Sequence, residues 1–181
     1  MTEVSSRSSI ALSAPIACRL ATGNDELESH YELRRRVFVQ EQCLFVLDDR
    51  DERDDKPGTL HAVGVVGDDP CGAVRLYPLD PATQQWKGDR LAVLPEHRAN
   101  HLGAELVRFA VATAGRLGGQ QMIAHVQLSN VRFFERLGWR AEGDPGELHG
   151  VEHQLMSIGL LARGQTAFIA PQALDPRRSG A

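Results

Sequence analysis

Cysteine is scarce in this chain of 181 residues: Cys18, Cys43 and Cys71 are odd in number and form no C-x-x-C pair. Neither a disulfide framework nor a zinc knuckle fits that spacing. A basic excess is also missing. The formal charge is −4, whereas a generic nucleic-acid binder carries a basic surface, so no nucleic-acid partner is expected. No apolar run approaches the roughly 20 residues that span a bilayer. The stretch from Met1 to Pro15 lacks the basic region and apolar core of a secretory signal. No membrane partner and a cytoplasmic location are the expectations. The nucleotide fingerprints G-x-x-x-x-G-K-S/T and G-x-G-x-x-G do not occur. Histidines do recur at i, i+4, as His97 with His101 and His149 with His153, but neither pair is H-E-x-x-H and no third ligand follows from a conventional motif. No metal is expected.

What is present suffices for one domain. A hydrophobic content of 42% builds a core without disulfides or metals. Two tails are expected, 1–14 with its serines and 163–181 with Pro171, Pro176 and a terminal Arg-Arg-Ser-Gly-Ala, leaving a domain over 15–162. Between them the pattern alternates. Ile16 to Ala21 reads as a strand, and a helix capped by Thr22 or Asn24 runs to Val37 or Phe38. An acidic stretch, Asp48 to Asp55, precedes a hairpin of Leu60–Val66 and Cys71–Leu79. Trp86 to Leu94 is a fourth strand. A long helix from about Ala99 to Leu117 has Leu102, Leu106, Phe109 or Ala110, and Thr113 or Ala114 on one face, and Gly118-Gly119 stops it. Met122–Leu128 is a buried strand, Val131–Leu137 a short helix, and Arg140–Leu148 and Gln154–Leu160 two closing strands. The order β-α-β-β-β-α-β-α-β-β predicts an α/β layer structure with helices over a central sheet.

The turn between the fourth strand and the long helix carries the most chemistry. Leu91-Ala92-Val93-Leu94-Pro95 ends a strand, and Arg98-Ala99-Asn100-His101-Leu102-Gly103-Ala104 opens the helix. Unpaired N–H groups converge there on the positive end of the helix dipole, which suits a pyrophosphate. Gly103 permits close approach of a ligand or of the adjacent sheet.

This turn resembles the main motif of the GNAT superfamily of N-acetyltransferases, a strand ending in V-x-P followed by R/Q-x-x-G-x-G/A. Arg98 and Gly103 match its outer positions, while His101 stands where the first glycine is usual. Phe133-Phe134-Glu135-Arg136-Leu137-Gly138-Trp139 resembles F-Y-x-x-L-G-F, which flanks the thiol end of the coenzyme. Arg34-Arg35-Arg36-Val37-Phe38-Val39-Gln40-Glu41-Gln42 resembles the R-x-x-V-F-V-x-E-Q of a small bacterial branch. That branch also has acidic residues before the second strand, here Asp51, Asp54 and Asp55, and a G-x-x-H, here Gly150 and His153. The stretch from Gly138 to Met156, with Val126-Gln127 before it, is similar to a subgroup associated with nitrilase gene clusters. The resemblance spans roughly Ile16 to Leu160.

The resemblance implies the GNAT fold, a mixed sheet of about seven strands split near the end of strand 4. It implies acetyl-CoA as co-substrate and direct attack by a small-molecule amine in a ternary complex. The coenzyme would contact Leu91, Ala92, Val93 and Leu94 along the strand. Its phosphates would meet Arg98, Ala99, Asn100, His101, Leu102, Gly103 and Ala104, and its thiol end Phe133, Phe134 and Arg136. Backbone groups near Val93 and Leu94 would hold the pantetheine arm, one N–H stabilising the oxyanion. Many members supply a tyrosine as general acid; the matching position here is Phe134. Candidate bases are His153, His125 and Glu41, with Glu41 alternatively anchoring the first helix to the following loop. Arg36, Phe38, Asp54 and Asp55 are candidate acceptor contacts, the acidic pair suiting a polyamine or aminosugar. A homodimer is the expected assembly. The competing expectation is a catalytically weak acyl-CoA sensor or accessory subunit on the same fold.

Overall fold

Burial on both faces of the sheet follows from strand alternation. Strand β2, Leu60–Val66, sends Ala62 into one core and Val63 and Val65 into another. The computed structural model describes residues 14–80 and 82–160; apart from Ala14, both expected tails lie outside them. The other strands are β1 (Ile16–Leu20), β3 (Asp69–Asp80), β4 (Gln85–Val93), β5 (Gln121–Gln127), β6 (Arg140–Ala141), β7 (Gly146–Leu148) and β8 (Val151–Gly159). They form one sheet in the order β1-β2-β3-β4-β5-β8-β6, with β7 also on β8. Among the described residues only the β4–β5 pair is parallel. The eighth strand arises because the single strand expected over Arg140–Leu148 is broken. Gly143 adopts φ +64° there, and the Glu142 N–H donates to Leu155 O at 2.8 Å.

Helices α1 (Asn24–Arg34), α2 (Leu102–Arg116) and α3 (Val131–Arg136) cover the sheet. Leu33 of α1 joins one core with Val63, Val65, Ala73 and Ala92. Leu102, Leu106, Val107 and Ala110 of α2 and Phe134 of α3 join the other with Met122 and Met156. The two large side chains Leu102 and Leu106 are fully buried, each contributing about 1.5–3 kcal/mol relative to exposure. Helix α2 sits close because Gly64 and Gly72 lack side chains. A Cβ on Gly64 would come within 2.7 Å of Leu102 Cδ1, and one on Gly72 within 2.8 Å of Leu106 Cδ1.

Three helix expectations need correction. Gly23, not Thr22 or Asn24, is the N-cap of α1, and the Thr22 N–H instead donates to Glu26 Oε2 at 3.0 Å. After Arg34 the helix widens into a π-helical segment, Arg35–Glu41, in which the Gln42 N–H reaches Val37 O at 2.9 Å. Such segments are rare and recur at functional sites. The long helix starts at Leu102, later than expected, because Pro95–Asn100 is 3₁₀ and His101 takes the left-handed φ of +62°.

Candidate functional site

Strands β4 and β5 pair only over Gln85–Lys87 and Gln121–Ile123. Beyond that point β4 follows β3, with a register shift between Ala73 and Arg75, and Arg90 takes φ +54°. A bulge with a non-glycine residue at positive φ bends its strand. β5 meanwhile pairs with β8 along its whole length. The sheet is therefore split, and two cavities meet in the split. They share Gln42, Leu91, Gln127, Asn130 and Phe134 as lining.

The larger cavity, about 550 Å³, is a groove at the start of α2. Val93, Arg98, Ala99, His101, Gly103 and Ala104 line it from one side. Phe133, Phe134 and Arg136 come from α3. Leu91 borders both cavities. His101, the N-cap of α2, gives no side-chain cap to the helix; the N–H groups of Ala104 and Glu105 donate to His101 O at 3.0 and 3.1 Å, which leaves those of Leu102 and Gly103 for an anion. The αL backbone at His101 explains why glycine is usual there. A Cβ on Gly103 would meet Val93 Cγ2 at 3.6 Å and Phe133 Cζ at 3.7 Å, ordinary contacts, so it would take groove space rather than clash with the sheet.

Four expected contacts do not line the groove. Ala92, Leu94 and Leu102 are core residues with 4% exposure or less, and the exposed Asn100 side chain faces His97 Nδ1 at 3.5 Å. The Leu94 N–H, expected for the pantetheine arm or the oxyanion, already donates to Cys71 O at 3.0 Å. Arg98 and Glu41, predicted as separate contacts, hold each other. Nη1 and Nη2 of Arg98 reach the two Glu41 oxygens at 2.7 and 2.6 Å, and Nε donates to Val93 O at 3.0 Å. The Arg98 hydrogen bonds hold the Glu41 carboxyl below its ordinary range. Glu41 is thus an anchor between the π-helical segment and the turn before α2, and it lines neither cavity.

The smaller cavity, about 170 Å³, brings together Phe38, His125 and His153. In the β5–β8 register His153 faces Gln127, and His125 faces Leu155. His153 Nδ1 lies 2.8 Å from Val151 O. A carbonyl only accepts, so in the neutral ring Nδ1 carries the proton and Nε2 the lone pair. Burial, then the charges of Lys87 and His153, push His125 below its ordinary value. Phe134 stacks edge-on with Phe133 and Trp139 at ring distances of 5.4 and 5.3 Å. Buried Trp139 also lines the cavity, and its Nε1–H has no partner among the described residues. Neither tyrosine of the chain lines either cavity. Tyr77 donates to Asp89 Oδ2 at 3.2 Å, and burial pushes it up to about 12.

The acidic stretch behaves differently from expectation. Asp54 is buried beneath α1 and is not a surface ligand: Arg34 Nη1 donates to it at 2.6 Å and Arg75 Nη1 lies at 3.0 Å. Burial alone would raise the Asp54 carboxyl, but hydrogen bonds from Arg34 and the Asp51 N–H overcome it and hold it well below the carboxylate range. Asp49 accepts from Arg34 Nε at 2.8 Å and pairs with Arg90 at 3.0 Å, and Asp51 and Asp89 grip Arg75. Asp55 is exposed, 3.9 Å from Arg50, and Arg36 lies 3.7 Å from Glu96; neither lines a cavity. Sequence reasoning missed Lys87, Asp89 and Arg90 in the cavity wall, and Arg34, Arg75 and Asp49 behind it. An arginine inside the apolar run of β3, with a carboxylate-rich stretch nearby in sequence, was the available signal. Among the described residues no group of three or more His, Cys, Asp and Glu is placed to hold a metal, and no helix is long and apolar enough to cross a membrane.

A mixed sheet split between parallel strands, with an open helix start beside the split, is the architecture of acyl-CoA N-acyltransferases. The chain belongs to the acetyltransferase (GNAT) family, whose profile matches residues 24–139. It is 28% identical over 137 residues to a provisionally assigned acetyltransferase of Bacillus subtilis, covering 75% of this chain and 91% of that one. A crystal structure of a provisionally assigned N-acetyltransferase from Lactobacillus plantarum superposes with a TM-score of 0.72 at 24% identity, over 81% of this chain and 99% of that one. An acyl-CoA N-acyltransferase from Pseudomonas aeruginosa superposes with a TM-score of 0.68 at 22% identity, over 80% and 99%.

Proposed function

We propose that the chain is an N-acyltransferase that passes an acyl group, acetyl in the simplest case, from acyl-CoA to the primary amine of a small molecule. The observation that carries this reading is the meeting of the two cavities in the split between β4 and β5. The groove offers an anion site at the start of α2 for the coenzyme phosphates, with Arg98 as the staple of that turn. The smaller cavity offers His153 to the amine as a base.

An alkylammonium with a pKa of about 10 must lose its proton, which costs about 4 kcal/mol at pH 7. His153 accepts that proton, directly or through one water. The free amine then attacks the thioester carbon, and a C–N bond forms as the C–S bond breaks. The thiolate leaves with the electron pair and, with no tyrosine lining either cavity, takes up through water the second proton that the new amide nitrogen gives up. Burial and the charge of Lys87 favour the neutral form of His125 beside His153. With Asp54 committed to arginines and Asp89 bound to Arg75, the cavity wall presents Lys87 without an ion-pair partner among the described residues. That favours an acceptor carrying an anionic group over a polyamine.

The test is kcat/KM against pH for the wild type and His153→Gln, with acetyl-CoA and a panel of amines that includes amino acids. A general base is worth roughly 10²–10⁴-fold, so the variant should lose about a hundredfold or more and change the shape of the profile. An unchanged profile would remove His153 from the mechanism. Phe134 at the usual tyrosine position favours a second reading, a sensor that binds acyl-CoA without turnover. Binding by calorimetry with no product from any amine would favour the sensor.

A further inference from the structure

The smaller cavity has two unlike limbs. On the side of the sheet that faces α1 stand the polar Lys87, His125 and His153, beside the apolar Phe38, Leu44 and Phe45. On the opposite side are Val107 and Ala110 of α2, Met122 and Ala124 of β5, and Trp139, each 7% exposed or less. The strand alternation of β5 separates the two sets: Met122 and Ala124 point into the core beneath α2, and His125 points away from it. A limb on the far side of the sheet exists only because β4 and β5 part after Lys87. Leu91 and Phe134, at the junction, border the groove as well.

We propose that this apolar limb holds the acyl chain of the thioester, and that the donor is an acyl-CoA longer than acetyl, butyryl to hexanoyl in size. The proposal rests on the reading of the chain as an acyl-CoA-dependent N-acyltransferase. The junction is where a thioester would lie with its coenzyme in the groove. From its carbonyl carbon, the amine and the acyl chain must depart in different directions. The polar limb, with the base, suits the amine, and the apolar limb suits the chain. An acetyl methyl is about the size of a water molecule, and one water needs roughly 10–15 Å³ of such space. The cavity offers about 170 Å³, far beyond that need even when shared with a small amine.

The experiment is calorimetric titration of the full chain with coenzyme A and with acetyl-, butyryl- and hexanoyl-CoA, repeated with Ala110→Leu. Each methylene buried in an apolar limb tightens binding by about fourfold, so butyryl-CoA should bind about fifteenfold more tightly than acetyl-CoA. Ala110→Leu, which fills the limb from α2, should drive the butyryl-to-acetyl ratio towards one. Ala124→Val, a smaller intrusion from β5, provides the same ratio should Ala110→Leu fail to fold. Affinity that is flat or falls with chain length in the wild type would overturn the acyl-chain limb while leaving the enzyme reading standing. So would a ratio unmoved by a folded variant. Failure of coenzyme A and every thioester to bind would overturn both.

Discussion

Asp54→Asn separates a structural carboxylate from a substrate ligand. Asp54 accepts 2.6 and 3.1 Å bonds from Arg34 Nη1 and Nη2, an N–H from Asp51 at 3.0 Å, and has Arg75 Nη1 at 3.0 Å. The side chains of Asp54 and Arg34 are wholly buried, and that of Arg75 is 1% exposed. The amide keeps the shape but removes the charge and turns N–H groups towards guanidinium donors. Breaking one partner out of a buried ion pair costs about 3–5 kcal/mol, because the remaining charge stays desolvated. Against a total stability of roughly 5–15 kcal/mol that is a large share. With a urea slope of about 2 kcal/mol per molar, the unfolding midpoint should fall by roughly 2 M. Asp55→Asn, at an exposed carboxylate 3.9 Å from Arg50, should change stability by less than about 0.5 kcal/mol. Both variants are measured by urea unfolding and by acceptor KM. An Asp54→Asn protein within 1 kcal/mol of wild type but with a raised acceptor KM would refute the structural assignment and restore Asp54 as a ligand.

Three further predictions follow from the geometry. Glu41→Gln should cost under about 1 kcal/mol, the range for a half-exposed pair, and raise the KM for acetyl-CoA while kcat stays within about threefold; a fall in kcat of a hundredfold or more would make Glu41 the base. His101→Gly relieves a left-handed residue at φ +62° and should stabilise the fold by roughly 0.5–1 kcal/mol, the αL penalty less the entropy of glycine; a lower unfolding midpoint would mean that the imidazole contributes to the fold. Burial, then the charge of Arg34, pushes His30 down to about 3, so the unfolded chain binds the extra proton first, stability falls as pH drops from about 6.5 towards 3, and the loss at pH 5 is about 2 kcal/mol. His30→Gln should flatten the slope of the unfolding free energy between pH 7 and 5; an unchanged slope would locate the titration elsewhere.

The groove was legible in sequence because its determinants are local. Pro95, Arg98 and Gly103 lie within one turn and helix start, and backbone geometry there depends on neighbours only. The turn before α2 and the middle strands, β2 to β5, therefore emerged from pattern alone, with ends shifted by at most two residues. The smaller cavity and the charges behind it were much less legible. Arg34 meets Asp49 and Asp54 across 15 and 20 residues of sequence, Arg75 meets Asp51 across 24, and Arg90 reaches Asp49 across 41. A run such as Asp48 to Asp55 looks alike in sequence whether it is solvated, binds a cation or is folded under a helix. Only tertiary packing decides. The motif containing Arg34, Val37, Phe38 and Glu41 was recognisable as a unit, but its chemistry divides. Arg34 is a buried ion, Val37 and Phe38 are core, and Glu41 grips the turn before α2.

The buried charges also bear on where the sheet opens. Arg90 holds a strained positive φ at the bulge of β4, and its guanidinium is fixed by Asp49 Oδ2 at 3.0 Å, the Asp49 carbonyl at 3.2 Å and Asp51 at 3.2 Å. Its neighbour Asp89 is fixed by Arg75 at 2.8 Å. Both residues sit on the wall of the smaller cavity, immediately after the last β4–β5 pair at Lys87 and Ile123. A strand that could keep pairing with β5 must be held away from it, and a strained backbone persists only where its surroundings over-determine it. The arginine–aspartate cluster supplies that constraint. It explains why ionic groups occupy a layer that apolar residues of equal volume would stabilise at least as well: their directional bonds set the bulge, the bulge sets the split, and the split joins the groove to both limbs of the cavity.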